Sequence, residues 1–373
     1  MAGKRFILGL ILSLAFVVFS WLVVEQARAS CGAVTCFVVI GSQQQVPQAG
    51  VLTVNAMYNY TPMRVLDGTN GVIAAVDQAD RALILDHHQE TRTITQQSTL
   101  DLNYGLTDRF GLQLTLPYMW RTHKHIDGLG EGGANGEGEP SNFSANGIGD
   151  IRVGLKYNVL PTLSSMVVLG FGVYLPSGNT HAHDSAEKVM ESPAQLGRGQ
   201  VALNPTIYQT YELIPHRLNQ FASASYRHTP RNNDGYRFGD EYMLNAGLNL
   251  VAAPWLVLTG QVNYRYLVHD NFSSSLLRSA TPSDGPGLFP GDPISIDPNI
   301  MNRAVPNTGS TYYAFSPGFQ VGLGQLVESS WTNNTSLYFF AQIPFERDSN
   351  NNLAQGTSYI FGLTRSFQVT SPS

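Results

Sequence analysis

Charge is scarce in this chain. Only 13% of its 373 residues are Asp, Glu, Lys or Arg, about half the share of an average soluble domain, so an ordinary water-facing surface lacks its usual covering. The net charge is a mild -5, and no run of Lys and Arg supplies the footprint that a nucleic-acid partner requires. Cysteine is nearly missing. The two present, Cys31 and Cys36, have the wrong spacing for a Cys-x-x-Cys redox or metal pair, and no His follows them as haem attachment needs. The Gly-rich run from Gly128 to Gly138 precedes no helix, so it is not a phosphate-binding loop. No nucleophile stands beside a base: His228-Thr229-Pro230 carries Pro where a lipid-facing hydrolase pair would carry Ser. The chain reads as a non-enzyme.

What is plentiful is Gly, Asn and aromatic side chains, and the N-terminus is a secretory signal. Lys4 and Arg5 form a positive start, Phe6 to Val24 an apolar core, and Ala27-Arg28-Ala29 a small-residue cleavage site, giving a signal peptide over 1–29 and Ser30 as the first mature residue. Two alternatives stay open: an uncleaved anchor, since the apolar stretch is long enough to span a bilayer, and a lipoprotein acylated at Cys31, against which Arg28 stands where an apolar residue is wanted. Export to an oxidising compartment makes a small Cys31–Cys36 disulfide loop the expected fate of both thiols. Residues 30–50 read as a periplasmic leader or small plug segment.

The organising pattern is clearest from Gly147 to Val159. Ile151, Val153, Leu155, Tyr157 and Val159 are apolar at every second position, while Asp150, Arg152, Gly154, Lys156 and Asn158 between them are polar or small. A strand sends alternate residues to opposite faces, so one face is oily and the other carries both signs of charge. The pattern recurs over Val51–Tyr60, Thr95–Leu106, Phe110–Arg121, Ser165–Leu175, Gln200–Leu213, Asn219–Thr229, Glu241–Val251, Trp255–Val268, Ser310–Leu323, Asn334–Phe345 and Thr357–Phe367. Between these strands long and short connections alternate, and Thr61 to Thr93 is expected to be irregular.

A soluble sandwich also alternates, but its strands average about five or six residues. These candidates run to about ten or more, the length that a tilted strand needs to cross hydrocarbon. Aromatics gather towards strand ends, at Tyr58, Tyr60, Tyr104, Phe110, Tyr118, Trp120, Trp255, Tyr264 and Tyr266, as an interfacial girdle does. Backbone in lipid must be fully paired, so the sheet has to close. The expectation is an all-β fold: a closed antiparallel transmembrane β-barrel over 51–367 in a bacterial outer membrane. It has about twelve strands, ten or fourteen being the alternatives, with long external loops, short periplasmic turns and a C-terminal tail over 368–373.

The closing strand, Tyr359-Ile-Phe361-Gly-Leu363-Thr-Arg365-Ser-Phe367, resembles the aromatic C-terminal signature of outer-membrane proteins, although Arg365 falls on its lipid face. Gly147-Ile-Gly-Asp150-Ile-Arg-Val-Gly-Leu-Lys-Tyr157, with Gly105-Leu-Thr-Asp108-Arg-Phe-Gly-Leu-Gln-Leu-Thr-Leu-Pro117, resembles the MetA-pathway phenol-degradation family of outer-membrane proteins. The resemblance is good over roughly Leu100 to Leu175 and general afterwards. It implies a transporter-like barrel and, more weakly, a phenolic solute.

The polar face places Asp101, Asp150, Arg152, Lys156, Arg227, Glu241 and Arg265 in the lumen, where mixed charge lines a path or fills a narrow barrel as a packed network. His87-His88, His123-x-His125 and His181-x-His183 fall in the first three long loops. Histidines two apart on an extended chain share a face and can hold Cu, Zn or Ni, provided that the loops converge. The functional expectation is passive passage of a small, apolar or aromatic solute through a lipid-embedded barrel with no resident cofactor. The competing reading is a non-conducting surface barrel that binds a metal ion or a partner through those loops.

Overall fold

The computed structural model describes residues 31–34, 36–41, 44–77, 82–127, 139–162, 164–183, 189–272, 305, 307–327, 329 and 331–369. The expected signal peptide, the side chains of Cys31, Cys36 and His87, and the tail beyond 369 lie outside the described residues. Cys31–Val34 and Cys36–Gly41 pair as a small antiparallel hairpin that opposes Cys31 to Gly41 and Cys36 to Val34.

Twelve strands form the barrel: β1 (Val51–Arg64), β2 (Ala82–Gly105), β3 (Phe110–Asp127), β4 (Glu139–Ile148 continued by Ile151–Asn158), β5 (Ser165–Leu175), β6 (Ala202–Ile214), β7 (Leu218–Arg227), β8 (Glu241–Ala253), β9 (Leu256–Leu267), β10 (Ser310–Gly322), β11 (Thr335–Asp348) and β12 (Ser358–Gln368). Each pairs antiparallel with the next. The ring closes where β12 runs along β1 in continuous register from Tyr359 opposite Tyr60 to Gln368 opposite Val51. Ala354–Gln355 continues that seam outward against Met63 and Arg64. β4 is interrupted at Gly149 and Asp150, just past Gly147, whose φ of 152° is a conformation that L side chains rarely adopt. Its outer half pairs with Tyr118–Asp127 and its inner half with Phe110–Thr115.

Period-2 alternation sorts the side chains as lipid requires. Leu112, Val153, Leu155, Leu169, Phe171, Leu244, Leu248, Val262, Phe315 and Phe361 are exposed on the outer face, while Asn55, Asn103, Gln113, Gln261, Asn263, Ser316 and Gln342 are buried inside. A water-soluble fold does the reverse. Aromatic pairs ring both ends, with Tyr118 and Trp120 at 4.7 Å between centroids and Phe110 and Tyr157 at 4.7 Å. Arg365 does face outward, but at the rim: its guanidinium lies 5.7 Å from the Trp331 ring and 4.8 Å from Phe367, so it reaches the headgroup level along aromatic faces.

One end of the barrel carries tight turns. The Thr107 hydroxyl accepts from the Arg109 and Phe110 amides, Thr162 bonds Ser165, and His216 turns at φ 58° with its amide donating to Glu212. The expectation of an irregular Thr61–Thr93 is corrected. β1 runs on to Arg64, Val72–Asp77 forms a further strand against β2, and β2 begins at Ala82. β3 likewise reaches Asp127 and β4 starts at Glu139. Beyond Trp120 the outward residues of β3, Thr122 and Lys124, are exposed and polar. Above the hydrocarbon the outer face needs no apolar residues, so the alternation fades while the strand continues.

The lipid-facing assignment is testable at Val153, which opposes Leu114 about midway between the Phe110 and Trp120 girdles. Val153→Arg should cost about 2–4 kcal/mol, as a cation near the bilayer midplane does, whereas Val153→Leu should stay near wild type. Urea unfolding in liposomes, followed by tryptophan fluorescence, reads both.

Candidate functional site

The site is the interior, taken from its periplasmic end outward. The segment before β1 enters the barrel there. Val46 is buried with Met166, Val168, Tyr208 and Phe221, all inward-facing, and the Gln45 carbonyl accepts from Asn103 at 3.1 Å. Gly105 makes room for this chain: a Cβ there would lie 2.1 Å from the Gln48 carbonyl oxygen and 2.4 Å from that of Pro47. The Gly50 amide donates to the Gly105 carbonyl at 2.9 Å, and the Ala49 amide donates to Asp108 at 3.2 Å.

Above the leader the lumen has two unlike walls. On β2 to β6 it is charged. Asp101 accepts from Gln113 at 2.8 Å and Thr115 at 2.6 Å, and attracts Lys156 electrostatically. Arg152 donates to Gln113 at 2.8 Å and Asn204 at 3.1 Å. Higher up, Arg227 lies 3.7 Å from Asp150 and 3.9 Å from the Tyr174 ring centroid. Arg198, from the connection after β5, meets Glu241 at 3.4 Å. Below these outer charges, β7 to β10 give a neutral wall: Ser316 donates to Asn263 at 2.6 Å, Asn263 to Asn245 at 2.6 Å, and Asn245 to Ser223 at 3.1 Å. Asp101, Asp150, Arg152, Lys156, Arg227, Glu241 and Arg265 all face inward. Asp101, Arg152 and Lys156 stand on β2 and β4, Asp150 at the break in β4, and Arg227, Glu241 and Arg265 at the outer ends of β7, β8 and β9, with the Arg265 guanidinium 5.7 Å from the Tyr312 ring.

The outer end holds a cavity of about 250 Å³. Met63, Ile73, Leu267 and Val305 give it apolar surface; Arg121, Arg265, Arg347, Glu90, Glu191 and Asp270 give it charge. The connection after β5 folds into this mouth, because Arg121 donates to the Pro193 and Gln195 carbonyls at 3.0 and 2.7 Å. Asp270 ties the other connections together, accepting from the Gly239 amide at 2.6 Å and from the Tyr236 hydroxyl at 2.5 Å. Burial raises the Asp270 carboxyl above its ordinary range, against those two hydrogen bonds, which favour the ionised form.

The six-histidine reading is corrected in its placement. His88, His123 and His125 stand on the outward extensions of β2 and β3, not in loops, and are buried. Their rings gather, with centroids 4.7 Å apart for His88 and His125 and 4.9 Å for His123 and His125. His181 and His183 stay exposed, His181 lying 3.7 Å from Asp234. Glu90 completes the group at 3.2 Å from His88 and 3.5 Å from His123, and Glu191 stands 3.6 Å from His88. Glu90 lies opposite His125, beyond the last lipid-facing aromatic, Trp120. Burial pushes its carboxyl up to about 8, opposed by the nearby His125. Glu90 is legible in sequence as the second residue after His88 on the same strand face. Glu191 and Arg198 are not, since only the fold of a long connection delivers them.

Asp101 offers a check on the charged wall. Asp101→Leu removes the countercharge of a buried Lys156, a change that costs roughly 3–5 kcal/mol when one partner of a buried pair is lost, and Asp101→Asn should cost less. The urea midpoint of the detergent-solubilised barrel measures both.

Comparison with known proteins agrees with this geometry. The family model described as MetA-pathway of phenol degradation matches residues 87–274, half of the chain, which takes in the histidine group and the charged wall. The COG4313 outer membrane channel from Pseudomonas putida F1 superposes with a TM-score of 0.50 over 87% of this chain and 98% of its own, at 10% identity. The Ralstonia pickettii toluene transporter TbuX gives a TM-score of 0.41 over 87% and 90%, at 9% identity. At 10% identity the first superposition speaks to the fold alone, and the second, below a TM-score of 0.5, adds no argument. No curated protein matches by sequence. With half its length matched, from the outward part of β2 past the end of β9, this twelve-stranded barrel belongs to the MetA-pathway phenol-degradation family.

Proposed function

We propose that the chain is a passive outer-membrane channel for a small solute of apolar or aromatic character. The observation that carries the reading is the outer cavity. It sits at the mouth of a closed barrel, joins apolar to polar lining residues, and is only slightly smaller than the ~300–1,000 Å³ usual for small-molecule sites. An apolar solute gains by leaving water for such a surface, and the charged groups around it hold the entrance open to water. From there the route descends between the charged and neutral walls to the apolar group around Val46 at the periplasmic end. The family's own description names phenol degradation, and the Pseudomonas putida relative in fold is named an outer membrane channel. The first supports an aromatic solute and the second a channel.

The competing reading is a barrel that conducts nothing. It is favoured by the packing of Val46 among Met166, Val168, Tyr208 and Phe221, which fills part of the bore. Planar-bilayer recording separates the two. The wild-type barrel should give discrete conductance steps, and deleting Gln44 to Gln48 should enlarge them. Silence from both proteins would leave the non-conducting reading standing. Uptake of a radiolabelled monoaromatic compound by cells with and without the protein identifies the solute class: faster uptake with the protein is expected, and equal rates would remove the aromatic solute.

A further inference from the structure

We infer that His88, Glu90 and His123 form a binding site for one divalent transition-metal ion, with Zn²⁺ the best match, on the wall of the outer mouth. The inference stands on its own geometry and does not depend on what passes through the barrel. Each of the three residues offers a donor atom, all within 4.8 Å of one another, and all three residues are buried. Bonds of about 2.0–2.2 Å at tetrahedral angles place neighbouring donors ~3.4 Å apart. His88 Nε2 stands 3.2 Å from Glu90 Oε1 and His123 Nε2 3.5 Å from Glu90 Oε2, so side-chain adjustments of about an ångström would draw the three donors around an ion.

The surroundings supply a second, separate observation. A metal-bound imidazole characteristically donates its other ring N–H to a carboxylate or another oxygen, which fixes its tautomer and aim. On His123 the far nitrogen, Nδ1, is 2.7 Å from the Thr93 hydroxyl. On His88 the far nitrogen, Nδ1, faces Glu191 at 3.6 Å. Both histidines therefore turn Nε2 towards Glu90; the Thr93 hydroxyl holds His123 from behind, and a carboxylate stands behind His88. The backbone explains the convergence: the register of β2 against β3 shifts between Glu90 and Arg92, and such an irregularity re-aims side chains at a strand end.

Two imidazoles and one carboxylate suit a borderline ion such as Zn²⁺ rather than Mg²⁺ or Ca²⁺, which prefer oxygen alone. Glu90, which gives up its proton when the ion binds, and Glu191 beside it offset the charge of the ion. His88, Glu90 and His123 all line the outer cavity, so a fourth coordination position would open towards water in the mouth.

The test uses the untagged full-length protein in detergent, stripped with EDTA and titrated with Zn²⁺ by calorimetry, with Co²⁺ absorption as a readout of tetrahedral geometry. One ion per chain is expected, with Glu90→Gln and His123→Ala weakening binding by more than tenfold and Thr93→Val by about tenfold, the range seen when an outer-shell partner is lost. His181→Ala should bind as wild type does. Heat-modifiable migration on gels confirms that each variant is folded, and Thr93→Val decides the matter should the others fail to fold. Absence of stoichiometric binding by the wild type, or wild-type affinity in folded Glu90→Gln, His123→Ala or Thr93→Val, overturns the site. Loss of binding on His181→Ala overturns its location.

Discussion

Every amide and carbonyl that crosses hydrocarbon must find a partner inside the protein, because an unpaired one costs several kcal/mol and the bilayer core offers no water. In this chain the requirement is met at the seam, where β12 lies along β1 through ten successive residue pairs from Tyr359–Tyr60 to Gln368–Val51. Without that pairing both strands would present open edges to lipid. Closure then dictates the sorting of side chains. With the outer face given to Leu, Val and aromatics, the polar groups of each strand go inside, where they must satisfy one another. The shared acceptor role of Asp101, the double donation of Arg152 and the amide ladder from Ser316 to Ser223 are the result.

The same constraint relaxes at the outer end, and the character of the structure changes there. β2 and β3 outrun the bilayer and carry His88, Glu90, His123 and His125 on their inward face. Free of lipid, the connections fold back over the mouth, tied through Asp270 to Tyr236 and Gly239, and through Asn351 to Asn70 and Val72. At the inner end the constraint acts in the opposite sense. Turns are short, little chain is left over to cover the bore, and the segment before β1 does so instead by inserting Val46.

How much of this could be read beforehand follows from where lipid imposes a pattern. Within the hydrocarbon layer the alternation is strict, and all twelve strands and the inward set from Asp101 to Arg265 are legible in it. The strand over Ser165–Leu175 has the same ends in sequence and structure. Outside the layer the pattern disappears. Thr61 to Thr93 looks irregular because neither face of its strands needs to be uniformly apolar, and the histidines on β2 and β3 therefore look like loop residues. Glu191 and Arg198 are beyond any local reading, since their places depend on the fold of the connection after β5. Arg365 looks like an error in register until Trp331 and Phe367 are seen on either side of it.

That the histidine group stands on strands rather than loops matters physically. Loop donors must lose the conformational freedom of their backbone, about 1–2 kcal/mol per residue fixed, before they converge. On β2 and β3 that freedom is already gone, since Glu90 opposes His125 and Thr93 opposes His123 in a ladder that runs on from the membrane-spanning sheet through one irregularity between Glu90 and Arg92. Only the side chains remain to be ordered, and Thr93 already holds one imidazole at 2.7 Å. The stiffness that lipid imposes on the barrel is thus carried past the membrane boundary by two strands that do not stop there. The histidine group of the outer mouth lies where that stiffness meets water.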